Sequence, residues 1–267
     1  MGRRGGGMAG GDNRAVDISR FDTLLFDLDG VITRTATLHA TAWKDLFDAF
    51  LASRAAATGV PFVPFDVDTD YLLYVDGRRR YDGVDTFLRS RGIVLPYGDP
   101  SDPPDAETSC GLGNRKNGYF AQHLAQFGVE VFDDAVELVR VARGHGRKLA
   151  VVSASRNCAD ILSRVGLLDL FDVRVTGVEA ADLGLPGKPA PDTYLKAAEL
   201  LGTAPADAVV LEDAVAGVQA GRAGSFGLVV GVDRRGEGDL LRAHGADVVS
   251  ADLREFLPSL VATPGPR

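Results

Sequence analysis

The sequence predicts an α/β fold: a doubly wound parallel sheet with a helical cap inserted after its first strand. The apolar run at residues 21–26 ends in two acids, Asp27 and Asp29, and is typical of a strand buried on both faces of a parallel sheet. From residue 131 onward, short apolar runs alternate with helical patterns, as they do in βαβ units. About one hundred residues of mostly helical pattern lie between these two parts.

The inserted part begins with an amphipathic helix. Its apolar residues recur at three- and four-residue steps over residues 38–51, and we expect Thr35 or Thr37 to cap it. Shorter helical patterns cover residues 82–91 and 114–127, on either side of a polar, proline-rich loop. This composition predicts a helical cap.

The part after residue 130 predicts the rest of a Rossmann-like sheet. Helices are expected at residues 134–143, 158–165, 193–201 and 217–221, and strands at 148–153, 171–176, 208–212, 228–232 and 247–249. The core is therefore discontinuous in sequence. We expect a disordered leader at residues 1–18, a core domain from residues 19–36 and 131–262, and a helical cap domain at 37–130.

Composition narrows the function classes. The chain has 267 residues, of which 45% are hydrophobic and 25% charged, which is ordinary for a globular protein. Its formal net charge of −8 argues against binding to nucleic acid or an anionic membrane. Cys110 and Cys158 lack metal-type spacing, so free thiols in a reducing cytoplasm are expected. No apolar pattern demands a partner subunit, and we expect a monomer.

Polar side chains follow several of the predicted strands. They are two acids after the first strand, a hydroxyl, a lysine and two further acids: Asp27, Asp29, Ser153, Lys188, Glu212 and Asp213. Alone, each fits a turn, a helix cap or a solvated surface. Together at the carboxyl edge of one sheet, they predict a divalent-metal site in which one carboxylate is a nucleophile and another an acid-base group.

Four motifs carry a family resemblance. Residues 27–31 read Asp-Leu-Asp-Gly-Val, 153–157 Ser-Ala-Ser-Arg-Asn, 188–192 Lys-Pro-Ala-Pro-Asp and 212–213 Glu-Asp. In this order they resemble the haloacid dehalogenase superfamily, and the resemblance covers residues 21–257. Residues 27–44 and 153–157 further resemble the β-phosphoglucomutase family, because generic phosphatases of the superfamily usually keep only the first hydroxyl of the second motif.

The resemblance implies a phosphotransferase that works through an aspartyl-phosphate. Asp27 would be the nucleophile and Asp29 the proton donor and acceptor, while Ser153 and Lys188 would hold phosphoryl oxygens. It also implies Mg²⁺ as the cofactor, since hard oxygen ligands suit this ion. Its ligands would be the Asp27 carboxylate, the Asp29 carbonyl, Asp213, and Glu212 directly or through water.

The resemblance also implies residues that bind a small sugar phosphate. These are Thr35, His39, Trp43, Lys44, Gly83, Val84, Arg115, Lys116, Asn117, Ser155, Arg156 and Asn157. Residues 155–157 match the segment that grips a distal phosphate, and residues 76–84 and 113–117 are candidate cap loops.

The chain departs from the family pattern at several positions. Arg34 stands where an aspartate is usual and Ala214 where a serine is usual, and Asp85 and Thr86 do not supply an expected arginine. Two functions therefore stay open. One is an isomerase that interconverts β-glucose 1-phosphate and glucose 6-phosphate through a 1,6-bisphosphate, and the other is a phosphatase acting on a small sugar phosphate.

Overall fold

A computed structural model describes residues 17–261. The leader predicted for residues 1–18 lies almost entirely outside the described residues. Within them, six parallel strands form one sheet in the order β3-β2-β1-β4-β5-β6. The strands are β1 (Thr23–Phe26), β2 (Lys148–Val152), β3 (Val173–Val175), β4 (Ala208–Glu212), β5 (Leu228–Val232) and β6 (Val248–Ser250). This order has its switch point beside β1, where open α/β sheets bind ligands.

Helices cover both faces of the sheet and build the insertion. They are α1 (Thr35–Thr58), α2 (Arg80–Ser90), α3 (Ser109–Phe127), α4 (Asp133–Gly144), α5 (Cys158–Arg164), α6 (Gly177–Asp182), α7 (Asp192–Leu200), α8 (Val215–Ala223), α9 (Gly238–Ala243) and α10 (Leu257–Val261). No helix in residues 17–261 is both long enough and apolar enough to cross a membrane.

The alternation of side chains along β1 divides the core into two layers. Leu24 and Phe26 pack with Leu138 of α4 on one face. Leu25 packs with Tyr194 of α7 and Val218 of α8 on the other face. Since successive strand residues point to opposite faces, a strand apolar at every position is buried between two helical layers. The predicted doubly wound sheet is confirmed.

The inserted helices α1 to α3 bury an apolar core of their own. Phe47 of α1 lies at its centre, with its ring centroid 4.1 Å from that of Phe87 and 5.2 Å from that of Phe65. Trp43 stacks on Phe47 from the direction of the sheet, at 5.2 Å. This separate core supports a cap that packs as one unit, and its boundaries at residues 37 and 130 stay a prediction.

Three local expectations differ from the structure. Thr35 is the first residue of α1 rather than its cap, and its hydroxyl contacts Asp29 instead. Residues 113–117 lie inside helix α3 and do not form a loop. Helix α6 is absent from the predicted elements, although Thr176 and Glu179 form a complete capping box at its start, a pattern that sequence reasoning can read.

Candidate active site

Strand β1 delivers two acids into a tight turn. Asp27 follows β1 directly, and its backbone N–H donates to the Leu211 carbonyl at 3.0 Å, which continues the pairing with β4. Gly30 then turns the chain with φ +93°, and a Cβ built on it would lie 1.8 Å from an Asp213 carboxylate oxygen. Only glycine accepts both this backbone conformation and this close approach.

The side chain of Lys188 bridges the acid that follows β1 and the acid that ends β4. Its Nζ lies 2.5 Å from Oδ1 of Asp27 and 2.5 Å from Oε1 of Glu212, and it donates to the Val152 carbonyl at 3.2 Å. The Tyr194 hydroxyl donates to the same Glu212 oxygen at 3.0 Å. Burial alone would lower the pKa of Lys188, but the Asp27 and Glu212 carboxylates raise it well above its ordinary value. Lys188 is therefore a fixed cation.

Three buried carboxylates meet beside this lysine. One oxygen each of Asp27, Glu212 and Asp213 lies within 4.8 Å of the others. Burial, followed by the charges of Asp76 and Glu212, raises the pKa of Asp213 well above its ordinary value, and none of the hydrogen bonds among the described side chains ends on its carboxylate. A divalent cation would relieve this repulsion, and carboxylate oxygens are its preferred ligands. These residues fit a metal ion.

The second acid, Asp29, receives side chains from both the cap and the core. The Thr35 hydroxyl donates to its Oδ1, and Nε2 of His39 lies 3.4 Å from the same oxygen. On the core side, the Ser153 hydroxyl donates to Oδ2 at 3.4 Å. Burial would raise the pKa of Asp29, but the contacts of His39 and Thr35 and the charge of Lys116 lower it.

His39 is itself held by a buried lysine. Nζ of Lys116 lies 2.5 Å from Nδ1 of His39, and the His39 ring stacks on Phe120 at 4.0 Å. Burial and the nearby positive charges lower the pKa of both groups. When Lys116 donates to Nδ1, the imidazole proton sits on Nε2, the nitrogen that lies 3.4 Å from Asp29 Oδ1. The cap thus determines how Asp29 is oriented.

The acids and the cap cations line one small cavity of about 60 Å³. The core contributes Asp27, Asp29, Ser155 and Asp213, and the cap contributes His39, Trp43, Tyr71, Asp76, Arg78, Arg80 and Lys116. The core side thus supplies three acids, and the cap side supplies two arginines and a lysine together with one acid, Asp76. Tyr71, Asp76, Arg78 and Arg80 are absent from the predicted site residues, although the arginine run at residues 78–80 lies in a predicted cap loop and is a usable signal.

Asn117 connects the cap to the segment after β2. Its Oδ1 accepts hydrogen bonds from Asn157 Nδ2 at 3.0 Å and from Arg80 Nη2 at 2.9 Å. Arg156 is exposed beside them. Burial and the charge of Arg156 lower the pKa of Arg80, so the two cations lie within electrostatic reach of each other. The predicted distal segment therefore meets a cap arginine.

Four residues predicted to bind substrate lie elsewhere. Lys44 is adjacent to Trp43 on α1 but points away, with Nζ 2.7 Å from Asp48 Oδ2. Arg115 donates to the Pro104 carbonyl at 2.6 Å. Gly83 packs under the Trp43 ring and Val84 is enclosed in the cap core. Because the side chains or backbone of these four residues already contact other parts of the protein, no substrate contact is proposed for them.

Comparison with known proteins agrees with the site described above. The haloacid dehalogenase-like hydrolase family matches residues 21–224, so the chain belongs to that family. It is 52% identical over 236 residues to the β-phosphoglucomutase of Mycobacterium tuberculosis, across 87% of this chain and 90% of that protein. It is 32% identical to the β-phosphoglucomutase of Bacillus subtilis, across 78% of this chain and 82% of that one. Within the family, the chain is a β-phosphoglucomutase-like enzyme, as its motifs predict.

The fold has a solved counterpart. The crystal structure of β-phosphoglucomutase from Clostridium difficile superposes with a TM-score of 0.68 at 22% identity, covering 91% of this chain and 100% of that one. At this identity the match speaks for the fold, which agrees with the sheet and inserted helices described above.

Proposed function

We propose that the enzyme is a Mg²⁺-dependent β-phosphoglucomutase that converts β-glucose 1-phosphate into glucose 6-phosphate through the 1,6-bisphosphate. The observation that carries this proposal is the charge lining one cavity between the core and the cap. Asp27 and Asp29 lie at its sheet end, and Arg78, Arg80 and Lys116 lie at its cap end. A bisphosphate has an anion at each end, so it needs a reaction site at one end and cations at the other.

In the first half-reaction, a carboxylate oxygen of Asp27 attacks the phosphorus of the bound bisphosphate. The bond from phosphorus to the sugar oxygen breaks, and Asp29 gives its proton to that oxygen. Lys188, 2.5 Å from Asp27 Oδ1, offsets the negative charge of the nucleophile and of the arriving phosphoryl group. In the second half-reaction, Asp29 takes a proton from the acceptor hydroxyl, which attacks phospho-Asp27.

Bound Mg²⁺ would supply further neutralisation of phosphoryl charge. Its protein ligands would be Asp27, Asp213 and the Asp29 carbonyl. Glu212 would contribute through water, because Lys188, Tyr194 and the Ala214 N–H already occupy its two oxygens. In this arrangement the main task of Glu212 is to hold Lys188.

The cap prepares Asp29 for proton transfer. Thr35 and His39 both belong to α1, and both approach Asp29 Oδ1. Cap closure would therefore bring the acid-base group into its working orientation at the same time as it encloses the substrate. Ser153, on the core side, would keep the other oxygen oriented and bind a phosphoryl oxygen.

The distal phosphate would be bound at the basic end of the cavity. We assign it to Ser155, Asn157 and Arg156 of the core, together with Arg80 and Lys116 of the cap. The arginine fork matches two phosphate oxygens at once. Arg80 would supply the cap arginine that Asp85 and Thr86 do not provide, because its guanidinium already lies beside Asn117.

A second candidate is a phosphatase that acts on a small sugar phosphate. The missing arginine after Val84 and the alanine at position 214 favour it, because both weaken the match to the mutase pattern. The two activities share phospho-Asp27 and differ in whether water or a sugar hydroxyl accepts the phosphoryl group.

One assay separates them. Purified protein is incubated with Mg²⁺, β-glucose 1-phosphate and a trace of the 1,6-bisphosphate, and both glucose 6-phosphate and free phosphate are followed. We expect glucose 6-phosphate to form faster, whereas faster release of phosphate would favour the phosphatase. Asp27→Asn should abolish either activity. We also propose a cytoplasmic location, which the two buried free thiols support, and a monomeric state, which light scattering tests.

A further inference from the structure

One ion pair joins the cap to the core beside the acids. Asp76 follows the short π-helical turn Tyr71–Val75 of the cap, and Arg235 lies in the loop after β5. Nη2 of Arg235 donates to Oδ2 of Asp76 at 2.9 Å. On the core side, Nε of Arg235 lies 3.1 Å from Glu237 Oε2, a contact that orients the guanidinium from within the core.

Asp76 is a buried carboxylate that the proposed chemistry does not use. Its side chain is 10% exposed, and it lines the cavity together with Asp213. A carboxylate in this position is unfavourable without a cation, because it has lost water and faces like charges. Arg235 supplies that cation, and it does so only while the cap lies against the core.

The backbone next to Asp76 makes the same junction. Gly77 has φ +68°, and a Cβ on it would lie 3.1 Å from the Cβ of Ala214 and 3.5 Å from that of Ala216. The cap loop therefore packs directly on the loop that carries Asp213. The alanine at position 214, one of the departures from the family pattern, leaves room for this approach.

An arginine of the cap itself fixes the other side of the loop. Nη1 of Arg79 donates to the Leu185 carbonyl at 3.1 Å, in the core segment that leads to Lys188. The loop of residues 76–79 thus bridges two core loops, one that bears Asp213 and one that bears Lys188. Asp76, Gly77 and Arg78 of this loop line the same cavity as Asp27.

We propose that Arg235 is a positioning residue that clamps Asp76 and so decides whether phospho-Asp27 passes its phosphoryl group to the sugar or to water. This inference rests on the proposed function, since it needs a phosphoenzyme with two competing acceptors. With the pair intact, the loop of residues 76–79 excludes water. With the pair broken, the loop loses this attachment to the core, and water reaches and attacks phospho-Asp27, releasing inorganic phosphate and regenerating the carboxylate.

The test compares Arg235→Ala, Arg235→Lys and Asp76→Asn with the wild-type chain, measuring the ratio of free phosphate to glucose 6-phosphate formed. The matched control is Arg89→Ala, which removes a cap ion pair of similar length, 2.7 Å to Asp85, that joins only residues of α2. We expect Arg235→Ala and Asp76→Asn to raise the ratio about tenfold, Arg235→Lys to raise it less, and Arg89→Ala to leave it unchanged.

The possible results distinguish a failure of the proposed function from a failure of the proposed clamp. A wild-type enzyme that makes no glucose 6-phosphate contradicts the proposed function. A wild-type enzyme that makes it, with the same ratio in Arg235→Ala, overturns the inference. If Arg235→Ala unfolds, Arg235→Lys and the nearly isosteric Asp76→Asn still test the clamp. The double variant must equal the single ones, because the two residues act as one pair, and additive effects would also overturn it.

Discussion

Nζ of Lys188 lies 2.5 Å from Oδ1 of Asp27, although 161 residues separate the two in sequence. The same ammonium lies 2.5 Å from Glu212, so one buried cation serves two buried acids. The electrostatic state of the proposed nucleophile therefore depends on the loop between α6 and α7.

Replacing this lysine should damage both stability and activity. Lys188→Met leaves two buried carboxylates without their cation, and we expect the free energy of unfolding without Mg²⁺ to fall by about 3 kcal/mol. Activity should fall below detection. Urea unfolding and initial rates measure the two effects. Lys196→Met, which breaks a surface pair with Glu199 at 2.9 Å, is the control, and equal unfolding curves for both variants would contradict the prediction.

Gly30→Ala should weaken Mg²⁺ binding. The new Cβ would meet the Asp213 carboxylate and displace a proposed ligand, so the Mg²⁺ concentration for half-maximal rate should rise about tenfold or more. Gly59→Ala is the matched control, because Gly59 has φ +74° and a Cβ added to it would meet nothing within 4 Å. It should share the backbone strain and leave the Mg²⁺ dependence unchanged. A similar dependence in both variants would count against the role of Asp213.

Thr35→Val should slow proton transfer while leaving the fold intact. The valine keeps the shape of Thr35 and removes the hydroxyl that donates to Asp29, so kcat should fall roughly 10-fold to 100-fold, with a smaller change in KM. Thr35→Ser should restore most of the rate. Thr41→Val, which removes an exposed hydroxyl of the same helix, should behave like the wild type. A purely structural role would lower the melting temperature without this pattern in kcat.

Arg80→Ala and Arg156→Ala should impair the mutase reaction selectively. Each removes a cation from the proposed distal site, and we expect kcat/KM for β-glucose 1-phosphate to fall about 100-fold. Hydrolysis of acetyl phosphate, which has no distal phosphate, should change little. Arg115→Ala is the control, since Arg115 bonds to the Pro104 carbonyl outside the cavity. Equal losses on both substrates would reject the distal assignment.

Mg²⁺ should stabilise the protein, and Asp213 should be required for this effect. Removal of the metal with a chelator leaves the three acids repelling one another, so the melting temperature should drop and activity should vanish until Mg²⁺ returns. Asp213→Asn should abolish the Mg²⁺-dependent shift. It should also melt no lower than the metal-free wild type, because burial and neighbouring charge raise the pKa of Asp213. A persistent shift in Asp213→Asn would place the ion elsewhere.

Local patterns account for much of what can be predicted. The buried strands are mostly apolar, with polar residues at or just after their carboxyl ends, so the sheet and the acids at its edge are readable from the chain. The capping box at Thr176 is equally local, yet helix α6 is missing from the predicted elements. Neighbouring positions on α1 show the limit of such reading, because Trp43 lines the cavity and Lys44 contacts Asp48. A rotation of about 100° per residue decides between them only once the packing partner of the helix is known.

Short stretches of sequence are enough to predict the polar residues at the strand ends, the turn with its two acids, and the lysine that contacts them. In parallel sheets the carboxyl ends of the strands lie at one edge, so these residues are expected to come together. The identity of the cap residues that reach the site depends instead on packing. Arg80, Lys116 and Asp76 come from different segments of the insertion. The contacts of Arg80 with Asn117 and of Lys116 with His39 form because the cap helices pack on one another, and the contact of Asp76 with Arg235 forms because the cap lies against the core. Contacts between such distant segments produce no periodic pattern in a single sequence.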